Sequence, residues 1–139
     1  MNVISGIQIT GSALNAEKTR MDIVAQNIAN AQTTKGADGK PYHRKVVSFE
    51  TLMSGSEPGS STPTGGIQVA SITDDPTPGP MVYNPGHPDA DSKGMVAMPN
   101  VNLAYEMVDL ISSTRGYEAN LAVVRNAKQM AHKALTIGH

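Results

Sequence analysis

Apolar side chains recur at alternating steps of three and four residues at both ends of the chain. Near the start the stripe runs Ile4, Ile7, Gly11, Leu14, Lys18, Met21, Ala25 and Ile28; near the finish it runs Leu103, Met107, Leu110, Thr114, Tyr117, Leu121, Val124, Lys128, Ala131 and Leu135. A repeat averaging 3.5 residues keeps one helix face toward a partner, so each stripe predicts a long helix and the pair predicts a coiled-coil seam. All nine prolines lie between Pro41 and Pro99, which leaves both ends free of helix breakers. The opening helix is expected over residues 3 to 30, ending where Asn27, Asn30 and Thr33–Thr34 compete for backbone hydrogen bonds. Gly6 and Gly11 each weaken it by about 1 kcal/mol relative to Ala, so in isolation it is marginal. The closing helix starts at a cap supplied by Asn100 or Asn102, with Glu106 near its positive end and Gly138 as its stop.

Between the helices the pattern changes. Lys35 to Pro41 is turn chemistry, and Tyr42 to Phe49 reads as a strand. Ser54 to Gly66 is almost wholly Ser, Gly, Pro and Thr, too polar to offset its ordering entropy, and is expected to be a flexible loop. Gly66 to Thr73 alternates as a second strand; Met81–Tyr83 and Met95–Met98 form short third and fourth strands. The expected fold is mainly α with a small β-rich insert. Its parts are an N-terminal helix region 1–34, a Pro/Gly-rich middle segment 35–99, and a C-terminal helix region 100–139.

Composition narrows the function. Aromatics make up 4% of the 139 residues, with one Phe and no Trp, so a long thin structure fits better than a compact core. A net charge of −1 with dispersed cations offers no surface for a phosphate backbone, and nucleic acid is not expected as a partner. No apolar run approaches the ~20 residues needed to span a bilayer, so direct membrane insertion is not expected. The opening residues lack the basic start and continuous apolar stretch of a cleaved secretory signal. With zero cysteines there are no disulfides, thiolate ligands or thiol nucleophiles.

One stretch resembles chemistry. Asn84-Pro85-Gly86-His87-Pro88-Asp89-Ala90-Asp91 places a His and two carboxylates within five residues. Asp89-x-Asp91 also opens like a calcium loop, but Lys93 stands where an oxygen ligand is needed and Asn100 replaces the closing glutamate. Turn geometry explains the same residues, so no metal or other cofactor is expected. No histidine pairs with a nucleophile at a recognisable spacing, and catalysis is not expected either. The eight methionines are core fillers by default and adaptable packing groups otherwise.

Several motifs sit inside the stripes. Ala13-Leu14-x-Ala16, Arg20 and Ala25-x-Asn27-Ile28-Ala29-Asn30-Ala31-x-Thr33 resemble the N-terminal signature of bacterial flagellar rod and hook proteins, the axial family. Thr64 to Val69, Val82 to Pro88 with Asp91 and Gly94, Met98 to Asn102 with Glu106 to Val108, Arg115, Tyr117 to Asn120 and Leu135 to Gly138 narrow the likeness to proximal-rod members, over nearly the whole chain. The resemblance implies a structural subunit of the rod that crosses the periplasm, with terminal helices in the inner layer. It implies a hetero-oligomeric helical assembly with other rod subunits and the basal-body junction protein, and export by the flagellar type III apparatus without a cleaved signal. Phe49-Glu50-Thr51-Leu52-Met53 is similar to the Phe-x-x-x-apolar export-gate motif of that family, with Phe49 and Met53 its two anchors. The packing residues expected to carry assembly are Ile4, Ile7, Leu14, Met21, Ile28, Leu103, Leu110, Tyr117, Leu121 and Val124, with Asn27 and Asn30 as caps or cross-links. A rival reading is a small soluble adaptor, a helical hairpin with a ligand-binding His87–Asp91 loop.

Overall fold

The computed structural model describes residues 3–53 and 65–137, so most of the expected 54–66 loop lies outside the described residues. The chain runs α1 (Val3–Ala29), β1 (Lys45–Met53), β2 (Gly65–Asp74), β3 (Met81–Tyr83), β4 (Met95–Ala97) and α2 (Leu103–Ile137). In chain order two long helices flank a small β insert made of two separate two-stranded sheets, β1 with β2 and β3 with β4. The strand Tyr42 to Phe49 predicted from sequence is displaced toward the C-terminus. Tyr42 to Arg44 are spent on side-chain and backbone contacts described below, and pairing begins at Lys45. The second strand, expected over Gly66 to Thr73, runs one residue further at each end, from Gly65 to Asp74.

The chain divides into two compact units, and α1, β1, β2 and α2 contribute segments to both. Unit 1 comprises residues 1–20, 48–71 and 112–139. Within it β1 and β2 run antiparallel, with the Ser48 hydroxyl 2.7 Å from that of Ser71. Ser12 of α1 pins the sheet, its Oγ accepting a hydrogen bond from the Ile67 amide at 3.0 Å. Glu17 packs on Gly116 of α2, where an added Cβ would lie 3.4 Å from the Glu17 Oε1. Among the described residues of this unit Ala16 and Ser113 are the buried ones.

Unit 2 comprises residues 21–47 and 72–111. Its apolar core is Ile23 and Val24 of α1 with Val96 of β4. β3 and β4 are antiparallel in the register Met81 to Ala97, Val82 to Val96 and Tyr83 to Met95. Two glycines are needed here. Gly94 closes the hairpin at φ +74°, and Gly79 passes so close to the chain that a Cβ would lie 1.9 Å from the Met98 carbonyl oxygen. Asn102 supplies the α2 cap: its Oδ1 accepts from the amides of Ala104 at 3.0 Å and Tyr105 at 3.3 Å. That satisfies two of the donors a helix start leaves open. Asn100, the other sequence candidate, does different work. Among the described residues no helix is long and apolar enough to cross a membrane.

Candidate functional site

The most buried large side chains of unit 2 are polar. Asn27, in the last turns of α1, is 1% exposed, and Glu106, in the first turn of α2, is 0% exposed. Asn27 Nδ2 donates to Glu106 Oε2 at 3.0 Å and to the Lys45 carbonyl at 2.9 Å. Its Oδ1 accepts from the Tyr42 hydroxyl and from the Lys45 amide, each at 2.9 Å. An amide side chain has two donors and two acceptor sites, and all four are used. Replacing Asn27 with any other residue leaves buried groups of its neighbours unpaired.

Arg44 completes the charge balance. Its Nε donates to Glu106 Oε1, so each carboxylate oxygen has a partner. Nη1 reaches 3.9 Å from Asp75 Oδ2. The Arg44 amide donates to Asn100 Oδ1 at 2.6 Å, while Asn100 Nδ2 donates to the carbonyls of Asp75 and Thr77 at 3.1 and 2.8 Å. Asn100 thus ties the β2 exit to the segment entering β1. Hydrogen bonds from the Thr77 side chain and amide hold the Asp75 carboxyl below its ordinary range, with Arg44 and His43 adding to them. Burial pushes the Tyr42 phenol upward, assisted by the charges of Asp74 and Glu106.

At the centre of this network the side-chain polar atoms of Asn27 and both carboxylate oxygens of Glu106 are taken up by partners within the chain. The network joins four separated stretches of sequence in one arrangement. A buried ion pair adds little net stability over a well-packed apolar group, but breaking one partner is costly, which favours a single register over near neighbours. Asn27 and Glu106 therefore act as a lock between the end of α1 and the start of α2. Sequence reasoning named Asn27 as a cap or cross-link and Glu106 only as a helix-dipole partner. It missed Arg44, Tyr42 and Asp75, whose one signal was a basic pair beside an aromatic at a strand entrance.

The His87–Asp91 stretch is the β3–β4 turn. Asp91 Oδ1 accepts from the amides of Lys93 and Met95 at 2.8 and 2.9 Å. Asp89 Oδ2 accepts from the Thr34 hydroxyl at 2.8 Å, and His87 Nδ1 accepts from the Asp89 amide at 3.1 Å. The three side chains brace the turn and the residues after α1. Among the described residues no group of His, Asp or Glu is placed to hold a metal ion.

The sequence-selected packing residues are spread over the helices. Leu14, Met21 and Ile28 are half-buried, as are Leu110, Tyr117, Leu121 and Val124, while Ile7 and Leu103 are exposed. Asn30 is partly buried and bonds back to the Gln26 carbonyl at 2.9 Å, ending α1. Phe49 is exposed on β1. The side chains of Ile4 and Met53 lie outside the described residues. Several of the positions most buried within the single chain fall one residue before a stripe position, Val24 and Asn27 on α1 and Glu106 and Ser113 on α2, while Ala16 and Ile23 fall two before one. Met107, Val108, Ile111, Val123, Met130 and Leu135 of α2 remain exposed.

Two long helices that meet through Asn27 with Glu106 and Glu17 with Gly116, and that leave Met107, Val108, Ile111, Val123, Met130 and Leu135 exposed, have the form of a part made for an assembly. Comparison with known proteins agrees in detail. Residues 7–37 match the family described as flagella basal body rod protein, and residues 92–137 match the C-terminal region described for flagellar basal body rod FlgEFG proteins. The chain is 44% identical to the flagellar basal-body rod protein FlgC of Yersinia enterocolitica over 99% of both chains. It is 42% identical to that of Salmonella typhimurium and 41% identical to that of Bacillus subtilis, again over 99% of each. Identity at this level over the full length leaves one conclusion, that the chain belongs to the FlgC family of flagellar basal-body rod proteins.

Proposed function

We propose that this rod subunit builds the tubular drive shaft through its terminal helices and passes torque from one subunit to the next across those contacts. The observation that carries this reading is the set of exposed apolar side chains on α2, Met107 with Ile111 on one face and Val123 with Met130 on another, with Ile7 and Ile9 on α1. Monomers rarely leave so much apolar surface uncovered. The tripartite division 1–34, 35–99 and 100–139 then has a role: helices in the inner layer, the middle segment outside. Leu14, Met21, Ile28, Leu110, Tyr117, Leu121 and Val124, together with Ile4, Ile7 and Leu103, are the packing groups of that layer. Neighbours are other rod subunits and the junction protein at the rod base. The role is structural, with no catalytic step.

Export through the flagellar type III apparatus, without a cleaved signal, brings the chain to the periplasmic rod. Phe49 and Met53 are the gate-recognition pair, and the exposure of Phe49 on β1 is compatible with a role beyond core packing. Two variants test the whole reading. A Leu121→Asp chain is expected to leave the cytoplasm but fail to form rods, abolishing swimming, whereas a Phe49→Ala chain accumulates inside. Normal swimming of the Leu121→Asp strain would remove the helix-packing assignment. Undiminished export of the Phe49→Ala chain would remove the gate motif.

A further inference from the structure

We propose that β3 and the Asp89–Asp91 turn beside it receive the basic C-terminal end of α2 from a second copy of this chain. The inference rests on the rod reading and names one contact within it.

All three residues of β3 are exposed, Met81, Val82 and Tyr83, the last at 69%. Among the described residues β3 is paired along one edge, to β4, and Val96 opposite Val82 is buried. The Tyr83 ring lies across the hairpin close, where a Cβ on Gly94 would stand 3.0 Å from its Cε2. The Gly94 amide in turn bonds the Asp91 carbonyl at 2.9 Å. An exposed aromatic and an acidic turn therefore adjoin each other. Between residues 73 and 93 the sequence holds four Asp against a single cation, Lys93.

The complement is at the other end of the chain. After Glu118, α2 has no acidic residue and carries Arg125, Lys128 and Lys133, all exposed. Val123 and Met130, seven residues apart, share one face of that helix, and Lys133 lies the next turn on from Met130. Met130 is 65% exposed. The chain covers neither patch itself, so one molecule's β3 is free for another molecule's α2. Apolar contact supplies the area, and opposite charge on the two patches sets orientation and disfavours like-with-like pairing. Two different patches meeting head to tail do not close into a simple pair. They propagate as a ring or helix, the geometry a rod requires.

The absence of native cysteine allows a direct test. Cells lacking the wild-type chain would express Tyr83→Cys and Met130→Cys chains together, and rods would be oxidised in place. The crossed disulfide forms only if the two Cα atoms approach within about 7 Å. The expected result is a crossed dimer well above the level from a Tyr105→Cys and Met130→Cys control pair. Adding Lys133→Glu to the Met130→Cys chain should lower it about fivefold. A crossed dimer no stronger than the control, in motile cells, overturns the contact while leaving the rod reading intact. A Tyr83→Cys product with a different subunit overturns it too, by assigning β3 to another partner. Motility of the single Cys strains is the separate readout of the rod reading.

Discussion

Asn27 shows how much a single amide can decide. Its oxygen faces a phenol and an amide, and its nitrogen faces a carboxylate and a carbonyl, so even the near-isosteric Asn27→Asp change is adverse. That change sets a second carboxylate against Glu106 Oε2, 3.0 Å from the atom it replaces. The expected loss is about 3–5 kcal/mol, read as a lower urea midpoint by circular dichroism. An unchanged midpoint would mean the lock contributes nothing to the free chain. Tyr42 adds a pH signature. Its folded pKa is raised above 10.0, so its contribution is fully present below that value. As pH rises past 10 the unfolded chain loses its phenolic proton first, and stability is lost through the raised folded pKa. Melting temperatures between pH 9 and 11.5 should fall more steeply for the parent than for Tyr42→Phe. The variant starts lower by about 1 kcal/mol, because Asn27 Oδ1 has lost a donor. Parallel slopes would assign the alkaline loss elsewhere.

The helices and strands were mostly legible before any coordinates. The stripes located α1 and α2 because periodicity over many turns outweighs local noise, and Met81–Tyr83 and Met95–Ala97 stand out as short apolar runs bounded by Pro and Gly. What periodicity did not reveal was which face the chain covers with its own residues. Apolar positions such as Met107 mark surface that needs covering, without saying whether this molecule or a neighbour does it. The face used within the chain holds Glu106 and Ser113 instead, and polar seams are invisible to a hydrophobic pattern. The cap was also ambiguous in sequence, since Asn100 and Asn102 are equivalent by type. Only tertiary contacts separate them: Asn100 is held by Arg44 and two carbonyls, leaving Asn102 to cap. Asn102→Ala should therefore cost about 1 kcal/mol and reduce helicity at the start of α2 in hydrogen exchange. Unchanged protection of Tyr105 and Glu106 would contradict the cap.

Among its described residues the chain has little apolar core of its own. The buried apolar residues among those described are Ala16, Ile23, Val24 and Val96. A chain with so small a core gains stability from partners by mass action. Ellipticity at 222 nm should therefore rise with concentration and on mixing with other rod subunits, whereas a self-sufficient adaptor would melt cooperatively at any dilution. The lock in unit 2 also has a consequence for time. Asn27 and Glu106 are 79 residues apart, Arg44 and Glu106 are 62, and Arg44 and Asn100 are 56. Contacts of such high separation close slowly, since the intervening loop must be ordered before any of them is gained. A chain emerging from a narrow channel by either end cannot form the lock until Glu106 and Asn27 are both outside. On the proposed export route, the wiring of one buried knot would thus delay rigidity until most of the subunit has arrived.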